Sequence, residues 1–204
     1  GTSYYTYGAK LGDLDGDGDL DIYITASWET DRVLFNDGDG TFTHHQTVGT
    51  SAQWGNSVDL GDLDGDGDLD AFVANSTDQA NLVWLNDGGG TLVSGQGTGS
   101  AKSRNVILGD LDDDGDLDAF VINDGANEVW LNDGSATFTS NGQALGSVDS
   151  WGLDLGDLDG DGDLDAFITN DDAEPNRVWF NDGTGTFTDS GQTMGTSDSR
   201  YVQL

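Results

Sequence analysis

The chain has 204 residues, with 39 Asp and Glu against 6 Lys and Arg, for a net charge of −33 at pH 7. So acidic a surface repels phosphate backbones and anionic membranes. It excludes nucleic-acid binding, which needs basic stripes that release counterions. Six Trp, five Tyr and eight Phe argue for a packed core rather than disorder. Without cysteine there is no disulfide framework and no thiolate zinc site. No stretch reads as a signal peptide or a membrane span, so no membrane insertion is expected. The sequence opens directly on Gly1-Thr2-Ser3, as a mature secreted form or a fragment would.

In chain order, the first segment to stand out is GDLDGDGDLD at Gly12. It returns at Gly61 and Gly156, with the variant GDLDDDGDLD at Gly109. The opening aspartates, Asp13, Asp62, Asp110 and Asp157, lie 49, 48 and 47 residues apart, a period that marks a propeller or solenoid with one structural unit per repeat. Pro175 is the only proline beside 32 glycines, and no amphipathic stretch reaches three helical turns, so the chain is expected to be all-β. Apolar runs within a repeat are short, as in Val58-Asp59-Leu60, Ala71-Phe72-Val73, Leu82-Val83-Trp84-Leu85 and Thr91-Leu92-Val93. They predict four strands per repeat. Asn36-Asp37-Gly38, Asn86-Asp87-Gly88, Asn132-Asp133-Gly134 and Asn181-Asp182-Gly183 would form tight hairpin turns between the third and fourth. Four-stranded meanders at this period are the blades of a β-propeller, apolar at successive positions because neighbours cover both faces. The expected blades span about 7–50, 54–98, 104–145 and 151–194, with 200–204 as the first strand of a fifth. Four blades in this chain point to part of a larger ring, a homo-oligomer or a fragment of a longer chain.

Each repeat carries its chemistry between strands 1 and 2. In Asp13-Leu14-Asp15-Gly16-Asp17-Gly18-Asp19-Leu20-Asp21, carboxylates at positions 1, 3 and 5 converge, glycine at 6 permits the sharp turn, and position 7 can offer its carbonyl. Position 12 of a helix-loop-helix calcium loop would be Glu, but here it holds Ile24, Val73, Val121 or Ile168, so the ninth residues, Asp21, Asp70, Asp118 and Asp165, close the loop instead. An all-oxygen shell of about six to seven donors suits calcium, whereas magnesium keeps several waters and zinc prefers His or Cys. About four calcium ions per chain are expected. The loops hold 21 of the 36 aspartates. Carboxylates ~4 Å apart repel by about 4 kcal/mol at an effective dielectric of 20, so empty loops should resist closing.

At these residues the chain resembles the FG-GAP (VCBS) repeats of integrin α-chain propellers, of secreted bacterial proteins and of some fungal lectins. The resemblance implies an integrin-like β-propeller, usually of seven blades. It implies calcium at Asp13, Asp15, Asp17, Asp19 and Asp21, and equally at Asp62, Asp64, Asp66, Asp68 and Asp70. The third loop would use Asp110, Asp112, Asp114, Asp116 and Asp118, and the fourth Asp157, Asp159, Asp161, Asp163 and Asp165. The literal Phe-Gly and Gly-Ala-Pro signatures are missing, and V-W-L-N-D-G-x-G-T-F points to the bacterial type, so integrin-style partner binding does not transfer.

In an antiparallel meander the calcium loops and Asn-Asp-Gly turns share one side, and the segments that vary among repeats share the other. Arg32, Lys102, Arg104, Arg177 and Arg200 fall on the variable side, with Trp28, Trp54, Trp151, Tyr5 and Tyr7. Aromatic and arginine side chains there can stack on sugars, and Trp54, Arg104, Trp151 and Arg200 are the candidate ligand residues. Trp84, Trp130 and Trp179 recur at one strand-3 position and read as interblade core. His44 and His45 have no matching nucleophile and read as exposed loop residues, and the carboxylates are committed to metal, so no catalysis is expected. The reading is an extracellular, calcium-stabilised module recognising carbohydrate or a cell-surface protein. Two alternatives stand beside it: a structural segment of a longer adhesin or fibre, and the non-catalytic part of a polysaccharide lyase. Gly1-Thr2-Ser3 matches Gly195-Thr196-Ser197, and Tyr7-Gly8-Ala9-Lys10-Leu11 matches Arg200-Tyr201-Val202-Gln203-Leu204, so a fifth first strand would present an unpaired edge.

Overall fold

The structure, a computed structural model, describes residues 5–50, 53–171, 174–195, 200 and 202–203. All regular structure among them is β, in four antiparallel four-stranded sheets whose strands follow in chain order. The chain divides into two units, Gly1–Lys102 with Gly134–Ala136, and Ser103–Asp133 with Thr137–Leu204.

The first unit holds two blades. Blade 1 consists of β1 (Tyr5–Gly12), β2 (Asp21–Ser27), β3 (Asp31–Asn36) and β4 (Phe42–Val48); blade 2 of β5 (Gly55–Gly61), β6 (Asp70–Asn75), β7 (Asn81–Asn86) and β8 (Leu92–Thr98). β6 is buried along its whole length, as both faces of a blade require. Leu14, Tyr23, Val33 and Val48 of blade 1 pack with Val58, Ala71, Val73, Trp84 and Leu92 of blade 2. Polar clasps flank this seam. The Gln46 side-chain amide donates to the Leu92 carbonyl and accepts from its N–H, both at 2.8 Å, and Asn86 Nδ2 donates to the Leu14 carbonyl at 2.8 Å.

The second unit repeats the arrangement. Blade 3 consists of β9 (Ser103–Gly109), β10 (Asp118–Asn123), β11 (Glu128–Asn132) and β12 (Phe138–Ser140); blade 4 of β13 (Ser150–Gly156), β14 (Asp165–Asn170), β15 (Arg177–Asn181) and β16 (Phe187–Asp189). Leu111, Phe120, Val129 and Leu145 pack with Leu153, Ala166, Ile168 and Phe187, with Trp179 against them. The Gln143 amide clasps Phe187 as Gln46 clasps Leu92, at 3.0 and 2.8 Å, and Asn181 Nδ2 reaches the Leu111 carbonyl at 2.8 Å.

Two local expectations change and one gains detail. The Asn-Asp-Gly segments do open the hairpins between strands 3 and 4, where Asn36 pairs with Phe42 and leaves 37–41 as the loop. The Asn36 carbonyl oxygen of the side chain accepts the N–H groups of Gly38 and Gly40, whose φ of 82° and 86° suit glycine. His44 and His45 are exposed but lie in β4, with His45 stacked on Phe35 at 3.8 Å between ring centroids. Of the expected fifth first strand, Arg200, Val202 and Gln203 are described and are not in a strand, while Tyr201 and Leu204 lie outside the described residues, as do 1–3 and 196–197.

Candidate metal and ligand sites

Each acidic loop is set by the strands it joins. The chain leaves β1 at Gly12 and re-enters β2 at Asp21, and these two residues pair across the ladder, which pins both ends of the loop. Inside it, Gly18 N–H donates to Asp13 Oδ2, Asp17 N–H to Asp15 Oδ1 and Asp19 N–H to Asp17 Oδ1. Carboxylate oxygens of Asp13, Asp15 and Asp17 come within 4.8 Å of one another, as do those of Asp62, Asp64 and Asp66. In the second unit the converging sets are Asp110, Asp112 and Asp118, and Asp157, Asp159 and Asp165.

These groups fit a hard cation. Oδ1 of Asp13, of Asp110 and of Asp112 is buried with no hydrogen-bond donor among the described residues, an arrangement that costs free energy unless a positive charge meets it. The third-position carboxyls, Asp15, Asp64, Asp112 and Asp159, are all pushed above the usual range, first by desolvation and then by neighbouring carboxylates. Calcium bound there would supply the missing charge and the demand for several oxygens at once. No histidine or cysteine joins any of the four sets.

The remaining positions divide. Asp21, Asp70, Asp118 and Asp165 are fully buried, and each spans two backbone N–H groups. Asp70 accepts from Leu63 at 2.9 Å and from Asn86 at 2.8 Å, tying the loop to the end of β7. Desolvation pushes the Asp70 and Asp118 carboxyls up to about 6 against the pull of these donors. The seventh-position carboxylates of Asp19, Asp68 and Asp163 abut Gly38, Gly88 and Gly183, where a Cβ would lie 2.6, 2.6 and 2.8 Å from an oxygen. They are outside the converging sets, as are Asp114, Asp116 and Asp161. The ninth residue's second task was invisible in the sequence because it needs the strand-3 amide brought alongside.

Of the four candidate ligand residues, three gather in the second unit. The guanidinium carbons of Arg104 and Arg200 lie 4.3 and 4.8 Å from the Trp151 ring centroid, and Arg104 pairs with Asp149 at 3.2 Å and Asp124 at 3.6 Å. Trp54 belongs to the first unit, its ring centroid 4.1 Å from that of Trp28. Trp28 is 66 % exposed and takes a φ of 66°, a conformation rare for a large side chain.

Sequence reasoning missed a cavity of about 240 Å³ between blades 3 and 4. Asn127, Ser150 and Asn170 form its wall, fixed by Asn127 Nδ2 donating to Ser150 Oγ and Ser150 Oγ donating to Asn170. Glu174, Trp179 and an Arg177–Asp189 ion pair of 3.3 Å complete the lining. In the first unit the connection 49–54 is longer, and Gln53 folds back onto Gly49, the counterpart of Gly146, to bond Thr50 N–H.

The model of the FG-GAP-like repeat matches residues 13–73, 62–121, 110–168 and 157–204, which together cover nearly the whole chain. The chain belongs to the FG-GAP-like repeat family. Each match starts at the first aspartate of a loop, and the first three run into the second strand of the next repeat, so the family's unit includes the acidic loop with the meander behind it. The β-propeller architecture follows from these repeats and the four four-stranded sheets. Among solved structures, this FG-GAP chain is similar to an Agrocybe aegerita lectin described as recognising non-reducing terminal N-acetylglucosamine, with 27 % identity and a TM-score of 0.59. The match covers 92 % of this chain and 51 % of the lectin's, so the chain spans about half the length of that relative. A comparison with curated proteins finds no match.

Proposed function

We propose that this chain is a non-enzymatic, extracellular carbohydrate-binding module whose four acidic loops hold calcium. The observation that carries the ligand class is the cavity between blades 3 and 4, which combines an aromatic ring with fixed polar and charged groups, as sugar recognition requires. At about 240 Å³ it lies below the range for drug-sized ligands and suits a single sugar ring. The likeness to a lectin for terminal N-acetylglucosamine supports the same class. Calcium acts on the opposite loops by neutralising clustered carboxylates, and so holds the blades that present the cavity.

The test is titration calorimetry of the calcium-loaded chain with N-acetylglucosamine and a panel of other monosaccharides. Binding that weakens at least about tenfold in both Glu174→Ala and Arg177→Ala supports the reading, since each removes a polar contact of roughly 1.5 kcal/mol or more. Binding unchanged in both variants but lost in Trp28→Ala would move the site to the Trp28–Trp54 pair. No heat with any sugar would remove the carbohydrate assignment.

A further inference from the structure

The polar wall of the cavity between blades 3 and 4 is committed to the chain itself, and the group left over is a carboxylate. Asn127 Oδ1 accepts the Asn123 N–H at 2.9 Å while its Nδ2 donates to Ser150 Oγ at 3.1 Å. Asn170 Oδ1 accepts from Ser150 Oγ at 3.0 Å, and its Nδ2 donates to the Pro175 carbonyl at 2.7 Å. These amides and the hydroxyl shape the wall by bonding one another and the backbone.

Charge enters through Glu174, Arg177 and Asp189. Arg177 and Asp189 answer each other at 3.3 Å, and the other Asp189 oxygen accepts the Gly191 N–H at 2.8 Å. The Glu174 carboxylate has neither a hydrogen bond nor an ion pair among the described residues. The lining therefore carries one uncompensated negative charge in the cavity that Trp179 also lines. The matching place in the first unit has no such charge. Strand register there sets Leu82 and Ser94 at the counterparts of Arg177 and Asp189, and Gln79 stands two residues before Asn81 as Glu174 does before Asn176. The charge thus belongs to the cavity and not to the repeat.

We propose that this cavity selects a cationic amino sugar, a hexosamine with a free ammonium group, over the N-acetylated and the acidic forms of the same ring. The inference rests on the reading of the cavity as a carbohydrate site. Glu174 takes the ammonium in a charge-assisted hydrogen bond, about twice as strong as a neutral one, and Trp179 offers the sugar ring an apolar surface. An N-acetyl group removes the positive charge and leaves Glu174 without an ionic partner. A uronate brings a further negative charge to a lining that already has one in excess. The field of a chain with a net charge of −33 acts in the same direction. Glu174 is exposed, so solvent screening keeps the preference modest.

Titration calorimetry of the calcium-loaded chain with glucosamine, N-acetylglucosamine and glucuronic acid, at mildly acidic pH where the amine is protonated, tests this. Glucosamine should bind about fivefold more tightly than N-acetylglucosamine at low salt, and glucuronic acid most weakly. The ratio of the first two should shrink at high salt and fall towards one in Glu174→Gln. Glu29→Gln, which removes an exposed carboxylate of the first unit, should leave the ratio as it is and so separates a local contact from the general field. An N-acetylglucosamine affinity equal to or above that of glucosamine, a ratio indifferent to salt, or a ratio that survives Glu174→Gln would overturn the proposal. If N-acetylglucosamine binds and is weakened by Arg177→Ala but no preference for the amine appears, the carbohydrate site stands and only its selectivity for amino sugars falls. If none of the three sugars binds, both fall.

Discussion

Tyr23 donates its phenolic hydroxyl to the Asp31 carboxylate across 3.2 Å in the buried seam of the first unit. The other repeats carry Phe72, Phe120 and Phe167 in place of the tyrosine and Asn81, Asn127 and Asn176 in place of the aspartate. The other Asp31 oxygen accepts the Ala26 N–H at 2.9 Å, and no basic side chain pairs with the carboxylate among the described residues. Desolvation pushes its pKa from 3.8 to about 6 despite these two donors. The folded state therefore binds the proton more tightly than the unfolded state. Stability from this group is complete below the unfolded value near 3.8 and is lost as pH rises through about 6.

Asp31→Asn should accordingly stabilise the protein at pH 7.5 by on the order of 2 kcal/mol, and the gain should shrink towards zero by pH 4. Melting curves of both chains across that range check it. A gain independent of pH, or a loss at pH 7.5, would contradict the account of the buried charge.

The strand 3 to 4 loops place a left-handed residue at Gly40, Gly90, Ala136 and Gly185. A Cβ on Gly90 would lie 2.3 Å from the Phe35 ring, which His45 braces from one face. Gly90→Ala should cost about 2 to 4 kcal/mol from strained φ and overpacking. Ala136→Gly, at a φ of 55°, should remain within about 1 kcal/mol of the parent, because strain relief offsets the entropy gained by the unfolded chain. Denaturant midpoints of the two variants should therefore separate clearly.

The repeat period, the strand count and the acidic loops were legible in the sequence because each depends on residues close in the chain. Aspartates at alternate positions converge whatever lies beyond them. Functions that need a second strand were not legible. Asp70 reads as a ligand in the sequence, and its two oxygens also hold amides 7 and 16 residues away, a task the sequence did not reveal. The cavity between blades 3 and 4 escaped for the same reason: Trp179 lies in the recurring core position and also lines the opening, a double role set by the short connection 146–149. Comparing Gln53 with its absent counterpart in the fourth repeat was the signal that would have pointed there.

Clamp and ligand roles can be separated by calcium. Asp70→Ala leaves two buried amides without acceptors, each worth about 1 to 3 kcal/mol, so it should destabilise the chain both with calcium and with chelator. Asp66→Ala removes an exposed carboxylate of the converging set and should destabilise only when calcium is present. Thermal melts in the two conditions distinguish them. Equal sensitivity of both variants to chelator would show that the ninth aspartate acts mainly as a ligand.

The central claim is that four acidic loops of an FG-GAP-like chain each close around calcium, and native mass spectrometry of the calcium-loaded protein tests it most directly. The account predicts four calcium ions per chain, three in the Asp64→Ala, Asp66→Ala double variant, and a melting midpoint that falls by many degrees when chelator strips the ions, since carboxylates ~4 Å apart then repel unscreened. A chain that carries no tightly bound calcium and melts at the same temperature with chelator would reduce the loops to solvated turns and contradict the account.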